Sequence, residues 1–260
     1  MEKRSAHVSF VIVDIERYGR RADDDQRWLR DQMYGVLREA VRKAGVDWAA
    51  CETQDRGDSV ILFVPASVPK IEITETFVEG LDRELTRYNR RSAESVRMRM
   101  RVALHAGEVS RDERGWIGTE LNTACRMVDL QRARDVLAAN PAANLVLVVS
   151  DLWFTSVVKQ DPVLVDHFRF TRVPFVAKEV DSHAWVHVRG GHVAAAQPEA
   201  AAPAPVAPEP VAPQPVAGAV QPAQPVQPAP AGGITIGGHV RMRDAVQGPQ
   251  TNHYHGEGHR

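Results

Sequence analysis

Two aspartates stand where apolar strands run out, and the chemistry this sequence offers starts with them. Asp14 follows Ser9-Phe10-Val11-Ile12-Val13, a β-branched run that reads as a short buried strand. Asp58 lies in Arg56-Gly57-Asp58-Ser59-Val60-Ile61-Leu62-Phe63, where a glycine turn enters a second such strand. Taken singly, each aspartate is explained as a turn cap. A carboxylate at the end of an apolar strand is costly to desolvate unless something pairs with it, so two in one small domain suggest a site for hard divalent cations. Asn122 and Arg126 are one helical turn apart, a spacing that lets both reach one ligand but by itself describes an exposed polar helix face. Arg101 belongs to Val96–His105, a strict alternation. Met98, Met100, Val102 and Leu104 take one face of it, and Arg97, Arg99, Arg101, Ala103 and His105 take the other. Arg97 and Arg99 read as a solvated stripe, and His105 as a structural hydrogen-bonding group.

The elements that must position these residues follow from periodicity. A helix is expected from about Asp24 to Ala44, with Trp28, Met33, Val36, Leu37, Ala40 and Val41 recurring at helical spacing and Gly45 ending it. Asp47–Thr53 and Ser59–Val64 read as an antiparallel hairpin turning through residues 54–58. A second helix is expected from about Ile73 to Asn89, with Phe77, Leu81, Leu85 and Tyr88 on its apolar stripe. Beyond the arginine-rich strand, Asp112 to Gly115 is a hairpin loop and a third helix starts near Gly118. Leu145–Val149 is a buried strand, followed by a short helix near 151–157 and two last strands around 168–171 and 184–188. Strands alternating with helices in this order suggest an α+β, ferredoxin-like split βαβ sheet with helices on one face.

Composition narrows the class. With 260 residues, 43% of them hydrophobic, and a formal charge of −1, the chain has room for one core plus extensions. Its near-neutral balance gives no argument for nucleic-acid binding, although the cations are overwhelmingly arginine. Cys51 and Cys125, both in apolar surroundings, fit a reducing interior and offer neither a disulfide framework nor a zinc cluster. The apolar run near the N-terminus is too short for a signal segment, and no stretch approaches transmembrane length, so a cytoplasmic location is expected. Composition shifts sharply after 191. Residues 192–232 form an Ala/Pro/Val/Gln-rich linker, expected to be disordered, that would reach on the order of 120 Å if extended. Residues 233–260 form a Gly- and His-containing tail whose local alternation suggests a docking element for a protein partner, with plain disorder as the alternative.

Residues 8–188 resemble the class III nucleotidyl cyclase homology domain, the adenylate and guanylate cyclase family. The resemblance rests on Val11-Ile12-Val13-Asp14-Ile15, Gly57-Asp58-Ser59-Val60, Arg101-Val102-Ala103-Leu104-His105-Ala106-Gly107 and Gly118-Thr119-Glu120-Leu121-Asn122-Thr123-Ala124-Cys125-Arg126-Met127. Each stretch is short; together they keep the family's order and approximate spacing. The resemblance implies a ferredoxin-like domain that pairs head to tail as a homodimer, with active sites at the interface. It implies two divalent ions, Mg2+ or Mn2+, held by Asp14, Asp58 and the carbonyl of Ile15. Arg101 would face the triphosphate of a nucleoside triphosphate, while Asn122 and Arg126 of the other protomer would position the ribose and stabilise the transition state. Gln54 and Thr119 fall on the base-reading positions, and Lys178 near the phosphate-binding lysine of the last hairpin.

Departures are equally plain. Gln54 and Thr119 match neither purine pattern, and because both donate and accept hydrogen bonds they exclude no base, pyrimidines included. Tyr18-Gly19 replaces the family's aromatic-hydroxyl pair, so one phosphate-loop hydroxyl is missing. Two functions are therefore carried forward: a metal-dependent cyclase making a 3′,5′-cyclic nucleotide for intracellular signalling, and a catalytically inactive cyclase-fold module that regulates or binds nucleotide and acts through its tail. An RNA-binding ferredoxin-like domain is disfavoured, because the strands lack the aromatic stacking residues it needs.

Overall fold

The structure is a computed structural model of the chain, and it describes residues 5–161, 169–177, 180–191 and 193. The linker and tail expected over 192–260 lie outside the described residues, Val193 apart.

Strand β1 (Ser5–Ile15) is the spine of the domain. It pairs antiparallel with β3 (Ser59–Pro65) on one side and with β4 (Met100–Asp112) on the other. Outside β3 lies the edge strand β2 (Glu52–Asp55). The order β2-β3-β1-β4 is that of a split βαβ sheet. It continues through β6 (Leu145–Ser150), parallel to β4, to β8 (Val180–Val188) and β7 (Thr171–Ala177), while the short β5 (Gly115–Ile117) pairs back onto β4.

The period of two decides which core each strand residue joins. Val11, Val13 and Ile15 face α1 (Asp23–Lys43) and α3 (Val78–Asn89). Phe10 and Ile12 face the opposite layer, built from α4 (Thr119–Val128) and α5 (Gln131–Ala139). The expectation of helices on one face holds only for the first layer. Helix α5, which the sequence reading did not separate from α4, completes the second. Before α3 the chain runs through α2 (Lys70–Glu72) and a π-helical turn at Ile73–Phe77, and after β6 through α6 (Asp151–Ser156).

Local chemistry explains the ends of α1. Asp23, Asp24 and Asp25 occupy its first turn and Arg42 and Lys43 its last, each complementing the helix dipole. Its apolar stripe runs through Leu29, not Trp28, which is 52% exposed and donates its indole N–H to the Tyr88 hydroxyl at 3.2 Å. The second correction concerns the arginine strand. Pairing begins only at Met100, because a 3-10 turn occupies Glu94–Val96. Arg99 is not solvated: it donates to the carbonyls of Ala143 (2.9 Å), Asn140 (3.0 Å) and Leu137. These carbonyls belong to the end of α5 and the loop after it, where helical partners run out. Alternation alone showed which face Arg99 takes and not that a helix covers that face.

Candidate active site

Strand register brings the candidate residues together. Asp14 stands opposite Ser59 across the β1–β3 pair and opposite Arg101 across the β1–β4 pair. Just past the ladder, the Ile15 N–H donates to the Asp58 carbonyl at 2.9 Å and the Glu16 N–H to the Arg99 carbonyl at 2.8 Å. Three strand ends are thus tied at one end of the central strands, and Asp14, Asp58 and Arg101 converge there. The turn that delivers Asp58 needs glycine: Gly57 sits at φ 87°, a left-handed conformation costly for any residue with a Cβ. The Gly57 N–H donates to Asp55 Oδ1 at 2.8 Å, and the Arg56 N–H to the Ser59 carbonyl at 2.9 Å.

Asp14 is 6% exposed. Burial pushes its carboxyl up to about 7; Arg101 pulls it down, and the Asp58 charge adds to the rise. Arg101 is also buried, pairs ionically with Asp14, and donates Nε to the Val128 carbonyl of α4 at 3.1 Å. The guanidinium lies directly against Asp14 Oδ2, the oxygen through which the ion pair is made. A buried carboxylate paired with Arg101, beside a half-buried second carboxylate, offers oxygen donors of the kind a hard cation takes. No group of three or more His, Cys, Asp or Glu side chains gathers among the described residues. Asp14 and Asp58 are the described carboxylates that could hold an ion at this place, with other coordination positions left to water or ligand oxygens.

Helix α4 presents the second group. Asn122 is exposed and Arg126 partly so, while Leu121, Ala124, Met127 and Val128 bury the opposite stripe. Thr119, exposed in the first turn, uses its carbonyl to accept from the Thr123 hydroxyl at 3.0 Å. What seats this helix is a pair the motifs did not single out. His105 Nε2 lies 2.5 Å from Glu120 Oε2, so the structural hydrogen bond expected of His105 is made, and its ring stacks on Phe10. Burial lowers the His105 pKa and the Glu120 bond opposes that shift. Gly107 makes room: a Cβ built there would stand 2.3 Å from Glu120 Cγ. We expect Gly107→Ala to cost about 1–3 kcal/mol by this overlap. Urea unfolding should show it as a lower midpoint at unchanged slope; an unaltered midpoint would mean that Glu120 is not packed there.

Gln54 lies within β2, opposite Ile61, with its side-chain Oε1 buried and accepting no hydrogen bond. Its neighbour Asp55 takes the other face and accepts from Arg30 Nε (3.0 Å) and the Tyr34 hydroxyl (2.7 Å), clamping α1 to the hairpin that carries Asp58. Burial and that hydrogen bond push Tyr34 up to about 12. The clamp has no short-range sequence signal, because its members are 21 and 25 residues apart. Lys178 lies outside the described residues. No described helix is long and apolar enough to cross a membrane.

No protein-family model matches the chain, and no curated protein matches it by sequence. Solved structures do match by fold. The guanylyl cyclase Cya2 superposes with a TM-score of 0.51 at 12% identity, covering 74% of this chain and 95% of that one. An adenylate/guanylate cyclase/hydrolase from Silicibacter pomeroyi gives 0.50 at 15% identity over 72% and 99%. A bacterial light-regulated adenylyl cyclase gives 0.50 at 12% identity over 74% of this chain and 54% of that one. At these identities the likeness is one of fold, and the fold is that of class III nucleotidyl cyclase catalytic domains.

Proposed function

We propose that this chain, built on the class III cyclase fold, is a metal-dependent nucleotidyl cyclase that converts a nucleoside triphosphate to a 3′,5′-cyclic nucleotide and pyrophosphate. The observation that carries the reading is the convergence of Asp14, Asp58 and Arg101 at one end of the central strands, where the buried Asp14 carboxylate pairs with Arg101. Asp14, Asp58 and the Ile15 carbonyl would hold two divalent ions. When bound, such ions acidify the ribose hydroxyl and neutralise the pyrophosphate leaving group. In the reaction the 3′-oxygen bonds to the α-phosphorus, the bond to pyrophosphate breaks and the hydroxyl proton leaves to solvent. Arg101 would face the triphosphate, and its ion pair with Asp14 opposes the rise that burial imposes on that carboxyl. From a second protomer, Asn122 would orient the ribose and Arg126 would stabilise charge developing at phosphorus, a task suited to a guanidinium that stays protonated. Gln54 and Thr119 would contact the base, Lys178 the phosphates, and the tail would recruit a partner.

A second reading, a nucleotide-binding module without turnover, draws on the same ion pair: Arg101 closes on the carboxylate that an ion would need. Titration calorimetry with Mn2+ and each nucleoside triphosphate tests what both readings share. Binding is expected in wild type and lost in Asp58→Ala; binding that is indifferent to Asp58→Ala contradicts the site.

A further inference from the structure

We infer that Glu120 is a positioning residue of the proposed reaction: its contact with His105 fixes the register of α4 on β4 and, through it, the places of Asn122 and Arg126. The inference rests on the cyclase reading. Helix α4 starts at Thr119 behind Gly118, and no side chain caps that end. The start is held from the strand instead. His105, 5% exposed, turns Nε2 to Glu120 Oε2, while its Nδ1 is buried without a hydrogen bond. Because a carboxylate only accepts, the ring donates from Nε2. A buried donor stripped of its partner is costly, so the helix resists any shift that breaks the contact. Close packing on either side opposes such a shift as well. Glu120 Cγ lies over Gly107, and a Cβ built at Gly118 would stand 3.0 Å from the Glu108 carbonyl oxygen.

The far end of the helix is tied to the same strand. Arg101 Nε donates to the Val128 carbonyl, and the same guanidinium pairs with Asp14. The two ties match in length. Glu120 and Val128 are eight residues apart, about 12 Å along a helix, and His105 and Arg101 are four apart, about 13 Å along a strand. An even separation puts His105 and Arg101 on one face of β4. Asn122 and Arg126 lie between the ties, away from the stripe that Leu121, Ala124 and Val128 bury. Among the described residues neither side chain makes a hydrogen bond or ion pair, so the seat of the helix sets where they stand. A slip of one residue would turn both by about 100°.

The test compares kcat and KM of full-chain variants, with Mn2+ and whichever of ATP, GTP, UTP and CTP the wild type cyclises. Glu120→Ala is expected to lower kcat about tenfold and to leave KM within about twofold, because Asn122 and Arg126 act as charge develops. Glu120→Gln, which still accepts from the ring N–H, is expected to recover most of that loss. In an Arg126→Ala background, Glu120→Ala should cost almost nothing more, the non-additivity of two residues that act as one. A Glu120→Ala protein that melts lower yet keeps the wild-type kcat overturns the inference and leaves the cyclase reading standing. So does a loss that adds in full to that of Arg126→Ala. A folded wild-type dimer that cyclises none of the four nucleotides overturns both.

Discussion

Equal mixing of Asp58→Ala and Arg126→Ala proteins, each nearly inactive alone, restores about a quarter of the wild-type rate if two protomers share each site. Each variant by itself should lose on the order of a hundredfold to a thousandfold, the usual cost of removing one group that meets charge in the transition state. In a random mixture about half the dimers are mixed, and one of the two sites in each is intact, which gives the quarter. The arrangement that motivates this lies in the fold. Asp58 is tied to the end of the central strand β1, whereas Arg126 is displayed on α4 without an ion-pair partner among the described residues. Mixed dimers shown to form but to remain inactive would mean that each chain builds its own site.

Without metal, the protein should lose stability as pH rises from 4 to 8, and divalent metal should reverse that loss. The sign follows from Asp14. Its folded pKa is raised from 3.8 to about 7, chiefly by burial. Between those values the folded state binds a proton that the unfolded state releases, so stability falls with pH. The contribution is complete below 3.8 and lost as pH passes through about 7, on the order of 4 kcal/mol in total. A cation on the ionised carboxylates removes the penalty. Mn2+ should therefore raise the melting temperature at pH 8 and change it little at pH 5, where Asp14 is neutral. In Asp14→Asn the falling limb should be missing. A metal-induced rise of equal size at pH 5 and pH 8 would place the ion elsewhere.

Much of this was legible in the sequence because the relevant signals are short-range. Asp14 ends one β-branched run and Asp58 precedes another, and Asn122 and Arg126 lie one helical turn apart. The order of strands and helices gave the split βαβ sheet. Contacts between distant segments left no such trace. The His105–Glu120 pair, the Asp55 clamp on Arg30 and Tyr34, and the Arg99 bonds to α5 join residues whose types are ordinary at their own positions. Trp28 misled for a related reason: hydrophobicity placed it on the buried stripe of α1, whereas the helix turns Leu29 inward and leaves the indole a polar partner at Tyr88. The left-handed turn at Arg17 was invisible, since arginine carries no signal for positive φ.

The central claim is that the paired strand-end aspartates make this fold a catalyst. Its most direct test is to incubate the full chain with Mn2+ and each of ATP, GTP, UTP and CTP, and to identify products by mass spectrometry beside Asp58→Ala. The account predicts a 3′,5′-cyclic monophosphate and pyrophosphate from at least one nucleotide, absent in the variant. A protein shown to be a folded dimer that binds nucleotide and Mn2+ yet yields no cyclic product from any of the four would contradict it.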